Sequence, residues 1–180
     1  LVGGGTRKML ALGLEVTGGP VADDRSETVL DALLGYYEAN ISVHSRLYPG
    51  GEAMLDGLTA RGVTLALVTN KLEHLAVKLL DELGLSQRFA TIIGGDTLGP
   101  GRAKPAPDLL HEMVARCRSG TAAYVGDTTY DTRAAKAAGL PCVAVRFGFN
   151  DLPADELGAN AVIGHFDELI PTLERLGAQA

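Results

Sequence analysis

The chain has 180 residues, 46% of them hydrophobic and 21% charged, with a formal net charge of −6. This is an ordinary globular balance with no basic footprint for nucleic acid or an anionic membrane, so an anionic ligand would need a locally positive site. Cys117 and Cys142 form no C-x-x-C pair, and there is no signal peptide or bilayer-length apolar run, so the sequence reads as a soluble, cytoplasmic protein.

In chain order, Gly3-Gly4-Gly5 reads as a flexible turn. Thr6 to Leu14 carries Met9, Leu10, Ala11 and Leu14 at helical spacing, and Gly18-Gly19-Pro20 stops that helix. Asp24 with Glu27 three residues on predicts a capping box. The helix that follows lines up Val29, Leu30, Leu33, Leu34, Tyr37 and Ile41. Pro49-Gly50-Gly51 then punctuates the chain.

Beyond it, helix and strand alternate. Helices are expected at Gly51–Arg61, Leu72–Leu83, Asp108–Arg116, Thr129–Ala138 and Phe166–Leu176. Strands are expected at Val63–Val68, Thr91–Ile93, Ala122–Val125, Cys142–Val145 and Ala161–Ile163. The strands are continuously apolar, which means that both faces are covered. Such alternation implies an α/β fold with a doubly wound parallel sheet, a Rossmann-like core.

Polar clusters stand where apolar runs stop: Thr69-Asn70 after Val68, and Gly126-Asp127 after Val125, with Asp131 four residues later. Lys104 precedes Pro105 between them. In a parallel sheet the carboxyl ends of neighbouring strands open on one crevice. A hydroxyl, an ammonium and two carboxylates gathered there suit a phosphate beside Mg2+. Each residue also has a plainer reading. Asn70 with Glu73, and Thr128 with Asp131, match helix caps, and Lys104 matches a solvated loop lysine. The four histidines show no metal-ligand spacing.

Together these residues resemble the haloacid dehalogenase superfamily of phosphatases, most of all its phosphoglycolate phosphatase group. Leu67-Val68-Thr69-Asn70-Lys71 resembles the second family motif, Lys104-Pro105 the third, and Val125-Gly126-Asp127-Thr128-Thr129-Tyr130-Asp131 the fourth. Ala134 to Gly139 and Phe147-Gly148-Phe149-Asn150 are also similar. The resemblance implies that Thr69 and the Asn70 amide bind the transferring phosphoryl group, that Lys104 balances its charge, that Asp127 ligates Mg2+, and that Asp131 supports the metal. It also implies a small helical cap, with residues 1–46 as its remainder and 47–180 as the catalytic core. Arg7 and Lys8 become expected contacts for a substrate carboxylate.

The first family motif, an Asp-x-Asp supplying nucleophile and general acid, occurs nowhere in the chain. Because Leu1 is not an initiator methionine, the nucleophile and the central strand are expected upstream of it, and the 180 residues alone are expected to be inactive. The implied function is Mg2+-dependent hydrolysis of a small phosphorylated substrate such as 2-phosphoglycolate through an aspartyl-phosphate. Alternatives are a phosphosugar mutase or other small-phosphoester hydrolase, or a non-catalytic phosphate-binding remnant. A haloacid dehalogenase fits less well, having no use for the metal motif, and a receiver-like domain would not carry a cap. The sequence leaves the oligomeric state open.

Overall fold

The computed structural model describes residues 6–19, 23–118 and 121–177. The Gly3–Gly5 turn, Pro20 and the side chain of Asp24 lie outside the described residues. Two helices come first, α1 (Thr6–Thr17) and α2 (Asp23–Ala39), packed on each other. Asp24 thus falls inside the first turn of α2 rather than ahead of it. Leu30 of α2 and Ile41 just beyond it are buried, as the helical spacing predicts.

Helix and strand then alternate: α3 (Gly51–Ala60), β1 (Ala66–Val68), α4 (Glu73–Glu82), β2 (Thr91–Ile93), α5 (Asp108–Cys117), β3 (Tyr124–Gly126), α6 (Thr129–Ala137), β4 (Cys142–Val145), β5 (Ala161–Ile163) and α7 (Leu169–Arg175). Short 3₁₀ turns cover Ser86–Arg88, Ala154–Glu156 and Phe166–Glu168, so the last expected helix begins as a tighter turn. No helix among the described residues is long and apolar enough to cross a membrane.

Every strand pairing is parallel. β1 lies beside β2 with Ala66 opposite Thr91, and β4 lies between β3 and β5. Both faces are covered. Val143 and Val145 of β4 pack with Leu58, Ile163 and Leu169 on the side of α3 and α7. Cys142 turns the other way, among Leu109, Leu110 and Ala134 of α5 and α6. All four β4 residues are buried, which explains a strand with no polar alternation.

The two ladders do not join. Between β1 and β3 lies a slot of about 380 Å³, lined by Leu65, Leu67, Met113, Ala123, Val125 and Leu173 among others. Both flanking strands are shorter than their apolar runs: β1 begins at Ala66 and β3 at Tyr124, while Val63–Leu65 and Ala122–Ala123 lead into them along the wall of the slot.

Leu109 is fully buried where α5 meets the sheet. Leu109→Ala should lower the unfolding free energy by about 2–5 kcal/mol, read from the denaturant midpoint. A loss below about 1 kcal/mol would contradict a close-packed core there.

Candidate active site

The loop after β1 carries Thr69 and Asn70. Thr69 donates its N–H to the Ile93 carbonyl (3.0 Å), extending the ladder one residue past the strand. Its Oγ1 accepts the Lys71 N–H (3.1 Å), so its hydroxyl proton stays available to a ligand oxygen. Asn70 does not cap α4. Its Oδ1 accepts the Lys104 N–H and its Nδ2 donates to the Lys104 carbonyl, each at 2.9 Å. The α4 amino end is served instead by Asp96, whose Oδ1 accepts the Glu73 N–H at 2.8 Å.

Lys104 is buried, contrary to the solvated-lysine reading. Its Nζ donates to Asp131 Oδ1 (2.6 Å), to the Tyr124 hydroxyl (2.7 Å) and to the Val68 carbonyl (3.2 Å). Those contacts use all three ammonium hydrogens. Tyr124 donates its own O–H to the Val68 carbonyl at 2.9 Å. Burial, reinforced by the Asp131 charge, raises the Tyr124 pKa well above its usual value, so it remains a phenol.

Asp131 is the hub on the β3 side. Its Oδ2 accepts from the Thr128 hydroxyl (2.6 Å) and from the backbone N–H groups of Thr128 (3.0 Å) and Asp127 (3.2 Å). The capping box read from Thr128 and Asp131 is therefore present at the start of α6. Cap and site coincide, since the other oxygen holds Lys104. Burial pushes the Asp131 carboxyl up, but the Lys104 charge and hydrogen bond, with those from Thr128 and the Asp127 amide, leave it below its ordinary value.

Asp127 differs. Its Oδ2 accepts the Phe149 N–H at 2.7 Å, and its Oδ1 accepts no hydrogen bond among the described residues. Burial raises its pKa, the Phe149 amide partly offsets this, and the Asp131 charge adds to the rise. Asn150 ties the neighbouring loop down by donating to the Asp127 and Val145 carbonyls, both at 2.9 Å. The fit depends on two glycines: a Cβ on Gly126 would lie 2.4 Å from Asp131 Cβ, and one on Gly148 2.3 Å from Asp127 Cβ.

Lys104, Asp131 and the Asn70 side chain thus stand in direct contact, Asp127 bonds to Asp131 through its amide, and Thr69 adjoins Val68. Of the two expected cap contacts, Arg7 is paired with Glu27 (2.5 Å) on the surface. Lys8 instead reaches the Tyr130 hydroxyl at 2.7 Å. On the opposite side, Lys71 bonds to the hydroxyl of Tyr37 on α2. Asn150 belongs to a segment similar to the family but has no expected role there, and Tyr124 is expected only as a strand residue; a lone tyrosine in a small-residue apolar strand is the available signal. His165 caps its own 3₁₀ turn, its Nδ1 accepting the Asp167 N–H at 3.3 Å.

Among the described residues no group of three or more histidine, cysteine or acidic side chains could enclose a metal. The donor set still fits Mg2+, which takes one or two carboxylates and completes its shell with water and phosphate oxygen. Asp127 offers an open oxygen on a carboxylate that burial has made costly to charge. Asp131 is occupied by four hydrogen bonds and would act from behind.

A family model described as haloacid dehalogenase-like hydrolase matches residues 7–145. The phosphoglycolate phosphatase of Agrobacterium fabrum is 39% identical over 179 residues, covering 96% of this chain and 74% of that protein. That of Rhodospirillum rubrum is 36% identical, covering 99% and 78%. Among solved structures, a protein from Haemophilus somnus described as a predicted phosphoglycolate phosphatase superimposes with a TM-score of 0.85 at 24% identity. It covers 95% of this chain and 78% of its own, a likeness of fold.

Asp131→Asn should cost about 3–5 kcal/mol by leaving the Lys104 ammonium buried without its counter-charge. Because the folded pKa of Asp131 is depressed, its contribution is present above the unfolded pKa and is lost as pH falls through the folded value. Asp127 has the opposite sign: its raised pKa makes the charged form a cost above that pKa. In EDTA at pH 7, Asp127→Asn should therefore raise the Tm, with the difference vanishing as the pH falls through the Asp127 pKa. An Asp127→Asn protein less stable than wild type at pH 7 would contradict this account.

Proposed function

The chain belongs to the haloacid dehalogenase-like hydrolase family, and on that premise we propose that it is the larger part of a Mg2+-dependent phosphatase acting on a small phosphate monoester such as 2-phosphoglycolate. The observation that carries the reading is a buried ammonium, Lys104, held by Asp131, with the open, half-buried carboxylate of Asp127 beside that pair at the end of β3. A phosphate monoester dianion needs fixed positive charge in a low-dielectric pocket. The 35–41% identity to proteins named phosphoglycolate phosphatase supports this choice of substrate class.

The roles follow from the bonds already made. The Thr69 hydroxyl and the Asn70 N–H donate to phosphoryl oxygens, while the Asn70 side chain fixes the loop that presents Lys104. Lys104 balances the charge that spreads over those oxygens. Asp131 and Tyr124 hold Lys104 in place, and Asp127 would hold Mg2+ with its free oxygen. When bound, that ion neutralises the repulsion between phosphate and an attacking carboxylate. Lys8, which among the described residues has no ion pair with a carboxylate and bonds to the Tyr130 hydroxyl, is our choice to meet the substrate's carboxylate.

Attack through an aspartyl-phosphate needs a nucleophilic carboxylate, and these 180 residues hold no Asp-x-Asp. The reading takes that group from a segment outside them, and it places residues 1–46 in a cap over a core at 47–180. It also places the protein in the cytoplasm, consistent with two free thiols.

The test is phosphate release from 2-phosphoglycolate by the natural polypeptide that contains this chain. Turnover should require Mg2+ and stop with EDTA. Asp127→Asn should abolish it, and Lys104→Ala should lower kcat by about 10²–10³. Turnover unaffected by EDTA would sink the metal role. An isomerised phosphosugar in place of free phosphate would move the protein to the mutases.

A further inference from the structure

The linker that carries the chain from α2 to α3 ends in a tight turn. The Tyr48 carbonyl accepts the Gly51 N–H at 2.9 Å, with Pro49 and Gly50 between them. Gly50 has φ 77° and ψ −6°, the left-handed conformation that the third position of a type II turn requires. The turn is seated on the loop after β5. A Cβ on Gly50 would lie 2.7 Å from His165 Cε1, and one on Gly51 3.6 Å from Phe166 Cε2.

From this turn the Tyr48 ring meets Phe147, which follows β4. Their centroids are 5.2 Å apart with the planes at 59°, and Phe147 also meets Phe166 at 4.8 Å and 69°. Tilted and edge-on contacts at these separations are the ones that aromatic rings favour. Phe147 and Phe166 pack against the buried cluster of Val143, Val145 and Ile163, whereas Tyr48 is exposed. Phe147 is thus held by one ring from the core side and one from the linker.

The residues after Phe147 wrap Asp127. The Gly148 backbone touches the Asp127 side chain, and the Phe149 N–H donates to its Oδ2 at 2.7 Å. Asn150 bonds to the Asp127 and Val145 carbonyls. Asp151 then accepts from the Thr129 N–H (2.8 Å) and hydroxyl (2.6 Å), joining the same loop to the start of α6. By fixing one oxygen of Asp127, the Phe149 amide also fixes the direction of the other.

We propose that Tyr48 is a positioning residue for the metal site: its ring holds Phe147 against Phe166, Phe147 sets the Gly148–Phe149 backbone, and that backbone aims Asp127. The proposal rests on the reading of Asp127 as the Mg2+ ligand, and adds that metal affinity depends on a ring in the linker between α2 and α3. Groups behind a ligand tune metal binding because they decide how much freedom the ligand loses when the ion arrives. By linkage, the ion in turn stabilises the Tyr48–Phe147 contact.

The test uses the natural polypeptide that contains this chain, with Mn2+ alone as the probe and the free ion read from its EPR signal. Tyr48→Ala should raise the Mn2+ Kd about three- to tenfold, the size of one aromatic contact. Tyr48→Phe keeps the ring and should bind as wild type. Tyr36→Ala removes an exposed ring on α2 and should leave the Kd unchanged. A ring that served only the fold would lower the Tm equally with and without Mn2+. A positioning ring makes the Tm rise produced by Mn2+ smaller in Tyr48→Ala.

An unchanged Kd in Tyr48→Ala would overturn the proposal, as would a loss in Tyr48→Phe equal to that in Tyr48→Ala. Asp127→Asn should weaken Mn2+ binding, and Tyr48→Ala added to it should cost nothing more. A further loss in that double variant would place the influence of the ring elsewhere and overturn the proposal. Mn2+ binding left intact by Asp127→Asn would instead remove the metal role of Asp127 itself, and this proposal with it.

Discussion

The contact between Lys104 and Asp131 is the constraint on which the rest of this structure depends. Side-chain exposures of 8% and 7% place both charges out of water, where either one alone would be strongly destabilising. The pair is tolerable because every polar position around it is filled. Lys104 has three acceptors and Asp131 has four donors. Those partners come from β1, β3, the loop before α5 and the start of α6. Four segments distant in sequence are thereby locked into one arrangement.

That arrangement separates two carboxylates that are four residues apart. Asp131 faces the ammonium and the first turn of α6, and its pKa is drawn down despite burial. Asp127 lies beyond the reach of those donors, and its pKa is pushed up. One is committed to holding the framework, while the other keeps an open oxygen and a charge that a cation would stabilise. Different environments, not different chemistry, divide the work.

Much of this was legible in the sequence where the determinant is local. β2, β4 and β5 fall at their expected residues, because unbroken apolar runs between turn signals describe strands covered on both faces. The Thr128–Asp131 box was legible for the same reason, its partners being three residues apart. Asn70 was not. Its spacing to Glu73 imitates a cap, but the side chain is taken by a peptide 34 residues away. Pairing at that range leaves no periodic trace. Tyr124 was missed likewise, since an apolar run records burial and not the hydroxyl at the end of a ring. β1 and β3 are shorter than their apolar runs because such a run records burial and not where regular pairing begins.

The two lysine–tyrosine contacts that bridge helices α1 and α2 to the core have an optical consequence. The chain contains five tyrosines and no tryptophan. The Lys8 ammonium bonds to the Tyr130 hydroxyl and that of Lys71 to the Tyr37 hydroxyl. Any hinge motion that lifts the helical pair from the core strips a hydrogen-bonded ammonium from two of the five phenol oxygens at once. The intrinsic tyrosine emission of the unlabelled protein is thus a built-in gauge of opening, with no indole signal to mask it.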